Sequence, residues 1–173
     1  MFEIGTYVSY RTEGICVIKD IRTETFGSMG GSEEYYILSP IKDSNSTLYV
    51  PVNNKMLVSK MLALLSAEEI CALADELREV RVEWKVESRA RNHFFRDILN
   101  QGDRDSLIKL INTITEKRNT LAAEGKKLTG GDEGILKRAK KMLVDEFSYT
   151  SDIEDEEALM QVLLGEARCA SRV

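Results

Sequence analysis

The sequence predicts an α+β fold in which a small N-terminal antiparallel β-barrel, residues 1–62, is followed by a compact C-terminal bundle of about five α-helices, residues 63–173. Two patterns and one junction carry that prediction. Up to Met61 the chain runs in short stretches of β-branched and aromatic residues broken by turn residues, a composition that suits a pleated, half-buried surface. From Ser66 onward apolar residues recur three and four apart, the spacing of one helical face. The single tryptophan, Trp84, stands just past the change from one rhythm to the other.

In the first part, strands are expected over residues 7–10, 15–21, 34–38 and 47–52, within a total of about five. Glu13-Gly14 separates the first two, Gly27 through Ser32 supplies a flexible connection, and Lys42 through Ser46 supplies polar turn chemistry. A sheet this small must bend strongly to bury a core, which leaves no room for a deep pocket. Its expected use is as a binding surface, through its loops or through an edge strand that accepts a partner's strand.

In the second part, Ser66-Ala67-Glu68-Glu69 has the form of a capping box, with the serine hydroxyl accepting from the third helical amide and the glutamate reaching back. The helix that follows turns Ile70, Leu73, Ala74 and Leu77 inward and ends near Val80. A second helix, about 86–99, is expected to bury Ala90, Phe94, Ile98 and Phe95 and to carry Arg89, Arg96 and Arg91 outward, stopping at Asn100-Gln101-Gly102. A third, three to five turns long, opens at Asp103 or Asp105, buries Leu107, Leu110, Ile111, Ile114 and Leu121, and ends at Gly125. The fourth follows Thr129-Gly130-Gly131-Asp132 with Ile135, Leu136, Ala139, Met142 and Leu143 inside and Lys137, Arg138, Lys140 and Lys141 outside. Ser151-Asp152-Ile153-Glu154 reads as a second capping box, for a last acidic helix containing Leu159, Val162 and Leu163.

Composition narrows the function. With 43% hydrophobic and 31% charged residues the chain is an ordinary globular sequence. No apolar run reaches the eighteen or so residues that a bilayer requires, and the first residues lack the basic-then-apolar order of a signal peptide, so a cytoplasmic location without membrane attachment is expected. Cys16, Cys71 and Cys169 are odd in number, widely spaced and without a CxxC pair. They are read as reduced thiols, two of them buried, with no disulfide framework or metal site. Glycine-rich phosphate loops, HExxH and GxSxG are missing, and Gly27, Gly30 and Gly31 lack the lysine and following Ser/Thr of a nucleotide loop. A thiol dyad of Cys71 with His93, the one histidine, is conceivable only because both residues exist. The expectation is therefore a protein that is not an enzyme and holds no cofactor.

The net charge of −5 is unevenly spread. Residues 1–70 hold six Lys/Arg against nine Asp/Glu, residues 78–146 hold sixteen against twelve, and residues 147–173 hold two against six. The basic surplus is thus confined to the helical middle, and Trp84 lies within it, in the run Arg81-Val82-Glu83-Trp84-Lys85-Val86-Glu87-Ser88-Arg89-Ala90-Arg91. A large ring among cations suggests a wedge against nucleic acid. An ordinary core tryptophan is the competing reading, because tryptophan is usually mostly buried.

The ordered set Phe2, Gly5, Val8, Tyr10 and Gly14, then Tyr35-Tyr36-Ile37-Leu38 and Tyr49-Val50-Pro51-Val52, then Trp84, Gly102-Asp103 and Asp132, Ile135-Leu136, Ala139, Met142-Leu143 and Glu146-Phe147 resembles the CarD/CdnL family of bacterial transcription regulators over nearly the whole chain. The resemblance implies a Tudor-like first domain that docks on the RNA polymerase β subunit by edge-strand pairing, here with Arg22, Glu24, Tyr49, Val50 and Pro51. It also implies a helical domain held over promoter DNA at the upstream edge of the bubble, where Trp84 wedges into the minor groove and stabilises the open complex. Lys85, Arg89, Arg91, Arg96 and Arg138 would then make phosphate contacts that position without reading sequence. The chain departs from the family pattern at Tyr10-Arg11-Thr12-Glu13-Gly14, where Tyr-Pro-x-His-Gly is common, and at Glu24 and Tyr49, where arginine is expected. Glu133-Gly134 stands where a basic pair can occur in the family. The alternative is a protein-only adaptor whose barrel binds polymerase or another partner while the bundle touches no DNA. A monomer is expected in either case.

Overall fold

The computed structural model describes residues 1–25 and 31–172. The chain divides into two compact units, Met1–Leu64 and Leu65–Val173.

The first unit is an antiparallel sheet of five strands, β1 (Tyr7–Tyr10), β2 (Gly14–Glu24), β3 (Glu33–Pro40), β4 (Leu48–Pro51) and β5 (Met61–Ala63), with a four-residue helix α1 (Lys55–Val58) before the last. Their spatial order is β4-β3-β2-β1-β5. Among the described residues β4 and β5 are thus the two ends of the sheet, each hydrogen-bonded to one neighbour. The turn expected at Glu13-Gly14 is present as a single 3-10 turn, Arg11–Glu13, closed by Gly14 at φ +74°, a backbone conformation that costs glycine little. Residues 26–30 of the connection expected between the second and third strands lie outside the described residues.

Pairing slips by one between Ile18 and Asp20, so Lys19 is the extra residue of a bulge. Because side chains alternate along a strand, one inserted residue exchanges the two faces. Cys16 and Ile18 point to the core before the slip, and Ile21 takes that role after it. The apolar side holds Val8, Tyr10, Cys16, Ile18, Tyr36, Leu38, Val50 and Met61. The opposite face of the long strands is left for Asp20, Arg22 and Glu24.

The second unit consists of α2 (Ala67–Leu77), α3 (Ser88–Gln101), α4 (Arg104–Ala123), α5 (Gly130–Phe147) and α6 (Glu156–Leu164). The capping box at Ser66 is fully formed, with Ser66 Oγ accepting from the Glu69 N–H at 3.2 Å and Glu69 Oε2 accepting from the Ser66 N–H at 2.7 Å. Helix α4 is the centre of the bundle. Besides the expected Leu107, Leu110, Ile111 and Ile114 it buries Ile108, Asn112, Thr113 and Thr115, so it is covered on more than one side. It runs 20 residues from its Asp103 cap, within the expected ends at Asp103 and Gly125 and somewhat longer than five turns, and Leu121 is half-buried where a core residue is expected.

Three other helices also differ from the sequence reading. In α3 the buried residues are Arg91, Phe95, Ile98 and Leu99, while Ala90 is exposed and Phe94 half-buried. The inward face is turned by one residue because its first member is a charged side chain, which hydrophobic spacing does not count. In α5 the helix begins at Gly130 on a Thr129 cap, and Lys140, expected outside, is 7% exposed. Burial, helped by nearby Arg118, pushes the Lys140 ammonium below its ordinary range. The start of α6 is capped by Asp155, whose carboxylate accepts from the Ala158 N–H at 2.8 Å. Ser151 is buried instead, donating its hydroxyl to the Phe147 carbonyl and forming a β-bridge with Ser171. Among the described residues no helix is long and apolar enough to cross a membrane.

Since Ile111 is fully buried at the centre of the bundle, Ile111→Ala should lower stability by about 2–5 kcal/mol. The expected result is an earlier urea midpoint with an unchanged denaturant slope.

Candidate nucleic-acid interface

Trp84 lies in the extended connection between α2 and α3, and polar side chains fix that connection along its length. Asn112 Nδ2 donates to the Leu77 carbonyl at 2.9 Å, holding the end of α2. Arg81 Nε donates to Glu116 Oε2 at 2.7 Å, and the Val82 N–H donates to Thr113 Oγ1 at 2.9 Å. Beyond the ring, Arg91 Nη1 donates to the carbonyls of Lys85 at 2.9 Å and Val86 at 3.1 Å. Glu87 then caps α3, and the Ala90 and Arg89 N–H groups that it accepts from hold its carboxyl below the usual carboxylate range. These partners belong to α3 and α4, so a segment without secondary structure is as firmly placed as a helix end.

The Trp84 ring is half-buried. It meets Phe95 nearly edge-on at 5.8 Å between centroids, and the Arg91 guanidinium lies 4.4 Å from its centre. Lys117 Nζ stands 5.6 Å from the same ring. With Arg81, Val82, Thr113, Glu116, Lys117 and Thr120 the ring lines a surface cleft of about 300 Å³. One side of the ring packs on the core and the other lines an accessible cleft. Lys117 is a residue that sequence reasoning missed, because it sits 33 positions from Trp84 on the far end of an apolar stripe.

The cations expected beside Trp84 have different fates. Arg91 is buried, not outward: Nε and Nη2 grip the two oxygens of Asp132 at 3.0 and 2.9 Å, with side-chain exposures of 6% and 1%. The reason is that burial of either charge alone would be prohibitive, whereas the paired, hydrogen-bonded charges are tolerated. Lys85 is half-buried, 5.2 Å over the Phe94 ring and 3.4 Å from Glu83. Arg89 is exposed at the start of α3. Arg96 and Arg138, both exposed, are brought together on a second cleft of about 340 Å³ whose floor includes Gly130, Gly131 and Gly134. At Gly131 an added Cβ would stand 3.1 Å from Asn92 Oδ1, so α3 and α5 approach closely there.

In the first unit, the expected strand residues do not all face one way. Arg22 is paired across the sheet with Tyr35, and Tyr35 with Pro51, which puts the three side by side on the outer face. Tyr49 is 40% exposed and packs edge-on against Tyr35 at 6.3 Å. Val50 is 1% exposed, so its side chain belongs to the core and only its backbone belongs to the edge strand. Since Val52 N–H donates to the Glu34 carbonyl, the alternation of an antiparallel ladder turns the backbone groups of Tyr49 and Pro51 away from β3. Arg22 is engaged by Glu24 at 2.6 Å and Asp20 at 3.3 Å, and these acids hold the guanidinium firmly charged.

The thiol dyad is not assembled. Cys71 adjoins Cys169, and His93, 83% exposed, adjoins Asp97 at 3.6 Å. Among the described residues no three His, Cys, Asp or Glu side chains cluster as a metal site would require.

Residues 2–62 match the family model of the CarD-like/TRCF RID domain, a family that interacts with the RNA polymerase β subunit. The match ends with the sheet and does not extend into the helical unit. A search of curated proteins gave no match.

The buried Arg91–Asp132 pair can be tested directly. Asp132→Asn strands the guanidinium and should cost about 3–5 kcal/mol, whereas Arg91→Met combined with Asp132→Leu should cost less than the two single changes together. Urea melts followed by the fluorescence of Trp84 measure both, and Arg91→Met should also shift the emission, since the guanidinium covers the only indole.

Proposed function

With its first unit a CarD-like/TRCF RID domain, we propose that the chain is a non-catalytic transcription regulator that binds the RNA polymerase β subunit and stabilises the promoter open complex through its helical unit. The family match carries this reading. In it the sheet contacts the β subunit through the backbone of β4 and through the outer face of Arg22, Tyr35, Tyr49 and Pro51. Trp84 meets the upstream fork with the side that lines the cleft, where a weakened base step makes insertion of an apolar ring cheapest. Lys117, Lys85 and Arg81 flank the ring, and Arg89, Arg96 and Arg138 supply phosphate contacts. Arg91 acts as a positioning residue: it shapes the connection that holds Trp84 and keeps its own charge inside the protein.

The second reading, a protein-only adaptor, draws support from the contact of Trp84 with Phe95 and Arg91, which gives the ring a structural use without DNA. Because part of the ring is core, Trp84→Phe is a more discriminating change than Trp84→Ala: it keeps an aromatic on Phe95 while shortening the side that faces the cleft. In a reconstituted transcription assay Trp84→Phe should leave polymerase binding intact and shorten open-complex lifetime roughly tenfold, equivalent to about 1.4 kcal/mol of lost stacking. Arg138→Ala should lower the salt slope of fork-junction DNA binding by about one. An unchanged lifetime together with a flat salt dependence would establish the adaptor instead. Arg22→Glu should weaken binding to the β subunit without altering the melting temperature.

A further inference from the structure

We propose that Cys71 and Cys169 are a modification site for small disulfide oxidants, which convert them into a cross-link that clasps the C-terminal tail to α2. The two sulfurs, 98 positions apart in the chain, lie 3.1 Å from each other. Cys71 is on the inward face of α2, and Cys169 is half-buried in the tail that follows α6. Bonds that do not involve the sulfurs hold them in place. Arg168 Nη1 donates to Asp75 Oδ2 of α2 at 2.6 Å, the Ala170 N–H donates to Asp152 Oδ1 at 2.8 Å, and the Arg172 N–H donates to the Thr150 carbonyl at 3.1 Å. Ser151 and Ser171 bridge in antiparallel fashion beside them. The Cys169 N–H itself donates to Cys71 Sγ at 3.3 Å. The two sulfurs and the Cys169 backbone are therefore already brought together, as a disulfide requires.

The chemistry is two successive exchanges. The more accessible Cys169, as its thiolate, attacks one sulfur of a small disulfide, forming a mixed disulfide and expelling one small thiolate. Cys71 then attacks the Cys169 sulfur and expels the second. Each protein sulfur loses one electron, the small disulfide gains two, and the two protein thiol protons leave on the two small thiols. Burial, and then the neighbouring Cys71, push the Cys169 thiol up to about 12, so the first exchange is slow at neutral pH. The pair is a slow latch and not a fast sensor. Closing so long a loop restricts the unfolded chain, which raises the melting temperature of the helical unit.

The test is to incubate the full chain with oxidised glutathione, alkylate the remaining thiols, and map peptides by mass spectrometry without reduction. The expected product joins the Cys71 and Cys169 peptides, leaves Cys16 unlinked in the sheet core, and melts roughly 5–10 °C higher than the reduced chain. Dithiothreitol should reverse both changes, Cys169→Ser should abolish them, and Cys16→Ser should retain them. Glutathione left on Cys169 without the cross-link, a link through Cys16, or a cross-link that leaves the melting temperature unchanged would overturn the proposal.

Discussion

Arg91 and Asp132 meet almost wholly out of water, and the connection that carries Trp84 takes its shape from the meeting. A buried ion pair of this kind adds little net stability over an apolar pair of equal volume, because each charge has first to be stripped of its hydration. What it supplies is geometry. The planar guanidinium sends Nε and Nη2 to the carboxylate, Nη1 to the carbonyls of Lys85 and Val86, and a flat face to the indole of Trp84. A lysine, with a single ammonium, could not hold a carboxylate, two carbonyls and a ring at once. Asp132 is held in turn by Thr129, whose hydroxyl donates to Asp132 Oδ2 at 2.7 Å while accepting from the Asp132 N–H. The start of α5, the start of α3 and the connection before α3 are thereby fixed by one polar network, and networks of this sort specify a unique arrangement only when every member is satisfied.

The same network explains which parts of the molecule could be read in the sequence. Elements whose signal is local are legible: the Ser66 capping box, the Glu13-Gly14 turn and the Leu107 to Ile114 stripe are each set by residues within one or two turns of each other. What failed was set by distant partners. The inward face of α3 departs from hydrophobic spacing because Arg91 occupies a core position only by virtue of Asp132, 41 residues later. Ser151 has the form of a helix cap, yet its hydroxyl is taken by Phe147 and its backbone by Ser171, leaving Asp155 to start α6. Lys140 belongs by residue type to an outward face, because lysine is rarely buried, and nothing local in the sequence marks its burial. The candidate site followed the same rule: Trp84 stood out by being unique, whereas Lys117, and the burial of Arg91 and Val50, depend on packing that no spacing rule records.

A half-buried tryptophan on a fixed connection differs physically from a ring on a flexible loop. Packing one side of the indole against Phe95 and Arg91 gives up part of its surface, but it removes most of the conformational entropy that a mobile side chain would lose on inserting between bases. The bonds from Val82 to Thr113 and from Arg91 to Lys85 and Val86 extend that preorganisation to the backbone. In the proposed function the helical unit therefore gains little contact area with DNA but incurs little ordering cost when it makes that contact.

The charges of the two units divide the proposed work differently. On the sheet, the one guanidinium of the Arg22 row is neutralised by Asp20 and Glu24, so long-range electrostatic steering toward a partner is weak there, and recognition would rest on the backbone of β4 and on short-range contacts of Arg22, Tyr35 and Tyr49. Strand addition suits that surface, because main-chain hydrogen bonds provide affinity while side chains provide register. In the helical unit the basic surplus is small and Arg91, Arg104 and Lys140 are internal, so its own affinity for DNA is expected to be weak at physiological salt. Weak affinity suffices if the first unit delivers the second: once tethered, the second contact is intramolecular and is governed by effective concentration instead of by free binding. Under that constraint, in the proposed function, extra cations around Trp84 would add nonspecific binding elsewhere on the genome without improving placement at the fork.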